Sequence, residues 1–147
     1  CDLSCFSECS FDYIIHPISN LYVSNLEPVW EGCYRILRKN GCLLSSFYNP
    51  ILFVFEKNKD LDQRGCLKPV HALPYSDTEH LTQEEIDRKI TNKEAFIFGH
   101  TLTSQINGQL NAGFLLDGFY EDEHPSPRFL IEDFVKTMLA TKAIKRS

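Results

Sequence analysis

Apolar and polar residues fall in blocks along the chain, and the blocks predict an α/β fold. Residues 11–17, Phe-Asp-Tyr-Ile-Ile-His-Pro, are rich in β-formers and end at a proline, which predicts a short buried strand. A polar loop follows through Ser19, Asn20 and Tyr22. Over 25–39, Trp30, Cys33, Tyr34 and Leu37 recur at i, i+3, i+4 and i+7, one apolar stripe of a helix. Pro28 suits its first turn, where a missing N–H costs nothing. Arg35, Arg38 and Lys39 are expected in its last turn, against the negative end of the helix dipole. Asn40-Gly41 is expected to stop it. Two apolar, β-rich runs follow at 42–48 and 50–56, broken apart by Asn49-Pro50. Strand, helix and strand with short joints over 11–48 form a βαβ unit, which implies parallel neighbours and a right-handed crossover.

The second half is less regular. Residues 57–80 are polar and carry Gly65, Pro69 and Pro74, so an excursion outside the sheet is predicted, a lid or cap that extends to about 98. Within it, Thr82-x-x-Glu85 is a capping box ahead of Ile86 and Ile90, which predicts a helix over 82–91. Residues 95–98 read as a short extended piece. Leu102, Ile106 and Leu110 line one face of a helix over 102–112, with Gly113 as its C-terminal cap. Gly108 costs that helix about 1 kcal/mol against alanine, which points to a close approach there. A strand at 114–120, a helical turn at 129–136 and a strand at 139–145 complete the chain. The last two strands suit an antiparallel pair.

Composition sets limits on function. Apolar residues make up 43% and charged residues 24%, ordinary for a globular domain and against global disorder. The formal charge is −5, and the one tight basic cluster is Lys142, Lys145 and Arg146 at the C-terminus. That is no basic face, so nucleic acid is not an expected partner. No apolar run is long enough to span a membrane. The opening Cys-Asp-Leu-Ser-Cys has neither the basic nor the apolar region of a signal peptide, and the absence of an initial Met suggests a start inside a longer product. Cysteines stand at 1, 5, 9, 33, 42 and 66. A zinc site needs a second ligand pair, and an iron–sulfur C-x3-C-x2-C run needs a shorter second gap, so reduced cytoplasmic thiols and no metal are expected.

No nucleophile elbow, phosphate-binding loop or zinc-protease helix is present. The order of motifs is more telling. Phe11-Asp12-Tyr13-Ile14-Ile15, a polar loop, a helix ending Arg35-Ile36-Leu37-Arg38-Lys39-Asn40-Gly41, and then Cys42-Leu43-Leu44 resemble the middle of class I S-adenosylmethionine-dependent methyltransferases. Gln109-Leu110-Asn111-Ala112-Gly113-Phe114 resembles that family's approach to its sixth strand, and Ala140 to Lys145 its closing strand. The resemblance covers nearly the whole chain and is weakest over 57–98. It implies the C-terminal part of a Rossmann-like sheet, a parallel βαβ unit plus a terminal antiparallel strand pair, in a partial methyltransferase domain. It also implies a cofactor, S-adenosylmethionine, across the carboxyl ends of the strands. The family's glycine-rich loop and acidic ribose anchor are not in these 147 residues.

The site residues follow from the resemblance. Asp2 and Leu3 match the stretch that holds the adenine, a carboxylate being able only to accept from its amino group. His16, after the fourth family strand, would face the methionine end of the cofactor and is the candidate general base. Ser19, Asn20, Tyr22, Tyr48, Asn49 and His100 would face a small-molecule acceptor. The competing expectation is a truncated, non-catalytic interaction module. Its unpaired strand 11–17 would join a second copy into a homodimer. A nucleotide-binding reductase would also need a glycine-rich loop and is not favoured.

Overall fold

A computed structural model describes residues 3–146. Its centre is a four-stranded mixed sheet in the order β1–β2–β6–β5, formed by Phe11–Pro17, Leu37–Tyr48, Met138–Ile144 and Leu115–Asp122. The strands β1 and β2 run parallel, with Tyr13 opposite Cys42 and Pro17 opposite Ser46. Helix α1, Glu27–Ile36, crosses between them. The strand β6 lies antiparallel to both β2 and β5. The fold is thus α/β, with the parallel βαβ unit and the terminal antiparallel pair expected from the sequence.

The core lies between one face of the sheet and α1. Trp30 is 0% exposed and packs with Leu26, Val29 and Cys33 of the same region against Leu37, Leu43, Phe114 and Ala143. The tight spot is Gly108. A Cβ there would come within 2.5 Å of Trp30 Cδ1. The segment after Leu102 opens as a π turn, Thr103–Asn107, before a short helix α5, Gly108–Asn111. Inside that π turn the Ser104 carbonyl accepts the Trp30 indole N–H at 3.1 Å. The missing side chain at 108 therefore lets the indole sit flush against the turn. Gly113, with φ +105°, caps the segment as expected.

Several boundaries differ from the sequence reading. Helix 25–39 is shorter, because the backbone turns extended at Leu37 and pairs it with Phe11. Arg38 consequently serves no helix end. It bonds Asp12 at 2.6 Å and the Cys9 carbonyl at 3.2 Å. Asn40 does take a positive φ of 64°, but as an irregularity within β2. Residues 50–53 form a 3-10 turn instead of a strand, with Pro50 in its first turn and the Asn49 side chain accepting from Ile51 N at 3.2 Å. The strand β1 is an edge strand and not a buried one: Tyr13 and Ile15 are 71% and 73% exposed, on a face that no described helix covers. The turn expected over 129–136 is confined to Leu130–Asp133.

Residues 57–98 hold α2 (Lys59–Gln63), β3 (Tyr75–Ser76), α3 (Asp77–His80) and α4 (Gln83–Thr91), and β3 pairs with β4 (Phe98–Gly99). The capping box of α4 is formed as read. Buried Asp77 ties the segment together, accepting from Ile97 N at 2.9 Å and Tyr75 Oη at 2.7 Å and pairing with Lys89 at 3.0 Å. A second, smaller core of Leu52, Phe53 and Ile131 joins this segment to the sheet.

The Gly108 contact yields a stability prediction. G108A gains about 1 kcal/mol of helix propensity but drives a methyl into the indole, an overpacking that costs about 1–3 kcal/mol. Urea unfolding is expected to show a net loss, and a stabilised variant would contradict the packing described.

Candidate functional site

Parallel strands bring their carboxyl ends to the same edge of a sheet, where open α/β sheets bind ligands. Here His16 and Pro17 end β1, Tyr48 ends β2, and the 3-10 turn Ser19–Tyr22 runs along that edge. Two concavities flank the turn.

The first is a groove of about 350 Å³ along β1, walled by Phe11, Ile14, Val29, Cys33 and, further along, Leu3, with His16 and Ser19 as its polar groups. Ser19 Oγ lies 2.9 Å from His16 Nδ1, and the imidazole tilts over Trp30 with ring centroids 5.8 Å apart. Burial holds the His16 pKa below the usual 6.5 and favours the neutral ring. Leu3 packs on α1 opposite Gly32, and its carbonyl accepts from the Arg35 guanidinium at 2.7 Å. Asp2 lies outside the described residues.

The second is a cavity of about 200 Å³ lined by Tyr22, Tyr48, Phe53 and Phe129, with Lys57 and Arg128 as its charged groups. Sequence reading placed Tyr22 and Tyr48 at such a site. It did not single out Phe53, Lys57, Arg128 or Phe129. Nothing local marks them, since the Pro-rich 121–129 loop and the segment after β2 meet only in three dimensions.

The other expected site residues hold the turn in place. Asn20 is 0% exposed, and its side-chain N–H donates to Gln105 Oε1 at 2.7 Å. Gln109 extends this buried chain to the Gln105 carbonyl and to the Thr141 hydroxyl. His100 Nε2 sits 2.7 Å from the Val23 carbonyl and 3.1 Å from that of Asn20, which fixes the proton on Nε2. Asn49 caps the turn after β2 and lines neither concavity. Among the described residues no three His, Cys, Asp or Glu side chains gather as a metal site, and no helix is long and apolar enough to cross a membrane.

No family model matches the chain. It is 44% identical over 144 residues to the uncharacterized methyltransferase YbaJ of Bacillus subtilis (strain 168), covering 98% of this chain and 54% of that protein. The chain thus spans about half the length of the curated relative it matches. The structure superposes on an S-adenosylmethionine-dependent methyltransferase from Mesorhizobium loti with a TM-score of 0.67 at 16% identity, over 98% of this chain and 67% of that one. It also matches geranyl diphosphate C-methyltransferase from Streptomyces coelicolor A3(2), solved with S-adenosyl-L-homocysteine, with a TM-score of 0.58 at 10% identity, over 99% of this chain and 52% of that one. The sequence likeness is thus to a methyltransferase, and the fold is the one these S-adenosylmethionine-dependent enzymes share.

The lowered His16 pKa has a consequence for stability. The unfolded imidazole binds a proton near pH 6.5 while the folded one resists it, so stability is full above 6.5 and falls as pH drops toward the folded value. His71 and His100 are lowered too, chiefly by burial, and act in the same direction. H16N is expected to lose less stability than the parent between about pH 7.5 and about pH 5.5 in urea titrations, and equal losses would contradict a half-buried His16 that resists protonation.

Proposed function

We propose that the chain supplies the acceptor-facing part of a methyl-transfer site, within a polypeptide that also carries a glycine-rich cofactor loop, and that its acceptor is a small molecule. The observation that carries this reading is the Ser19–Tyr22 turn. It is a shared wall, with His16 and Ser19 in the groove on one side and Leu21 and Tyr22 in the aromatic cavity on the other.

The groove residues fit the cofactor that the fold implies. S-Adenosylmethionine supplies a methyl group already activated by its sulfonium charge. A neutral His16 does not repel a cation beside it, whereas a histidinium would. Val29 and Cys33 give the groove an apolar wall, and Leu3 lines its far part. Little bond-making chemistry is left to the protein, so positioning is its main task.

Ser19 orients the His16 ring, and His16 accepts a proton from a hydroxyl or amine acceptor. Tyr22 and Tyr48 wall the acceptor's side. Asn20, through Gln105, and His100, through the carbonyls of Asn20 and Val23, hold the turn in place between groove and cavity. Asn49 fixes the chain as it leaves β2. The 57–98 segment acts as a cap, since it carries Lys57 and Ile97 to the cavity. Free thiols at Cys5, Cys9, Cys33, Cys42 and Cys66 favour the cytoplasm as its compartment.

Calorimetric titration with S-adenosylhomocysteine tests this reading. A polypeptide in which the chain follows a glycine-rich cofactor half is expected to bind, and H16A in that background to bind several-fold more weakly. Silence from the longer polypeptide would refute the proposal.

A second reading is favoured by one observation. The bare edge of β1 and its exposed Tyr13 and Ile15 suit pairing with a second copy, so that the 147 residues alone serve as a non-catalytic oligomerisation module. Light scattering on this chain is then expected to report a dimer, and a stable monomer at high concentration would exclude it.

A further inference from the structure

The aromatic cavity carries more charge than a neutral acceptor needs. Lys57 Nζ lies 5.5 Å from the Phe53 ring centroid and 5.4 Å from that of Phe129. The Arg128 guanidinium lies 5.5 Å from the Tyr48 centroid and 5.3 Å from that of Phe129. Both cations thus lean on the rings that wall the cavity.

Among the described residues Lys57 has no acid partner, and Arg128 has only a long one. Among the described residues no carboxylate stands within ion-pair distance of Lys57. Arg128 forms a long ion pair with Glu132, at 3.9 Å and so without a hydrogen bond. Glu132 is already occupied. It accepts the backbone N–H of Arg128 and of Phe129 and the hydroxyl of Thr137. Burial raises its pKa, but those donors and the Arg128 charge together outweigh burial and hold the carboxyl below its usual range. The Glu132 charge is thus shared between the 128–132 turn and the guanidinium, which lines the cavity with no acid hydrogen-bonded to it among the described residues.

Lys57 shows the same imbalance. Loss of hydration lowers its pKa most, Arg128 and Lys89 lower it further by repulsion, and Asp77 offsets this only in part. Ring faces attract cations by about 0.5–2 kcal/mol but leave their charge in place. Two cations with one acid, Glu132, beside them leave a positive charge unpaired at the cavity, a local demand for an anion.

We propose that the cavity takes a planar monoanion of the aromatic carboxylic acid class as its acceptor. The carboxylate would meet the Arg128 fork in bidentate fashion, with Lys57 as a second point charge, and the flat body would stack among Tyr48, Phe53 and Phe129. At about 200 Å³ the cavity is smaller than the ~300–1,000 Å³ of drug-sized ligand pockets, which limits the body to a single ring. Arg128 and Lys57 are binding residues in this account, and the assignment rests on reading the cavity as the acceptor's side of the methyl-transfer site.

Ligand-observed NMR on the 147-residue chain, without cofactor, tests the inference with benzoate, benzamide and acetate. Benzoate is expected to bind at least ten-fold more tightly than either of the others, benzamide lacking the charge and acetate the ring. R128Q is expected to abolish that preference while circular dichroism stays unchanged. K57Q is expected to weaken benzoate several-fold and carries the test if R128Q unfolds. Benzamide or acetate binding as well as benzoate, or no binding by any of the three, would overturn the proposal. These outcomes are separate from S-adenosylhomocysteine titration of the longer polypeptide. Binding there with no benzoate preference here would sink the acceptor class alone.

Discussion

The parallel pairing of β1 with β2 is the constraint on which the rest of the structure depends. Parallel strands need a crossover, and α1 supplies it by laying Trp30 and Cys33 on the sheet. The pairing sets His16 opposite Ser45 and Pro17 opposite Ser46, so the ends of both strands open on one edge. Had β2 run the other way, Tyr48 would lie at the far edge from His16, and the Ser19–Tyr22 turn would have nothing to wall. The antiparallel β6 then seals the far side of β2, from Cys42 opposite Ile144 to Tyr48 opposite Met138.

Around that edge the interior is unusually polar. Asn20, Gln105, Gln109 and Thr141 form a buried hydrogen-bonded chain beneath the turn, and Trp30 donates to the π turn beside it. Asn20 Oδ1 and Ser45 Oγ are buried without a hydrogen-bond partner among the described residues. An apolar layer would tolerate small slips of one element past another, whereas directional bonds fix register. A site that works by holding two reactants at one distance benefits from that rigidity more than from extra stability.

Much of the fold was legible because it is written in local patterns. The Trp30, Cys33 and Tyr34 stripe, the Thr82–Glu85 capping box and the Gly113 cap each act within a few residues, and each is found where read. The errors occur where a distant partner decides. Leu37 continues the helical stripe, yet pairing with Phe11 takes it into β2. The run 50–56 looks like a strand by composition, although Asn49 ahead of Pro50 carries the signature of a helical cap and could have corrected it. Of the linings of the two concavities, residues next to the strand ends were legible: His16 and Ser19 reach the groove, Tyr22 and Tyr48 the cavity. Lys57 and Arg128 were not, because they come together at one cavity only after the 57–98 segment and the 121–129 loop have folded onto the sheet.

The central claim is that groove and cavity are two sides of a single transfer site, separated by the Ser19–Tyr22 turn. It is tested most directly by nuclear Overhauser contacts from the carbon-13-labelled methyl group of S-adenosylmethionine bound to the longer polypeptide. The account predicts contacts from that methyl to the His16 ring and to a Tyr22 or Tyr48 ring. A bound methyl group that reaches neither the turn nor these side chains would contradict it.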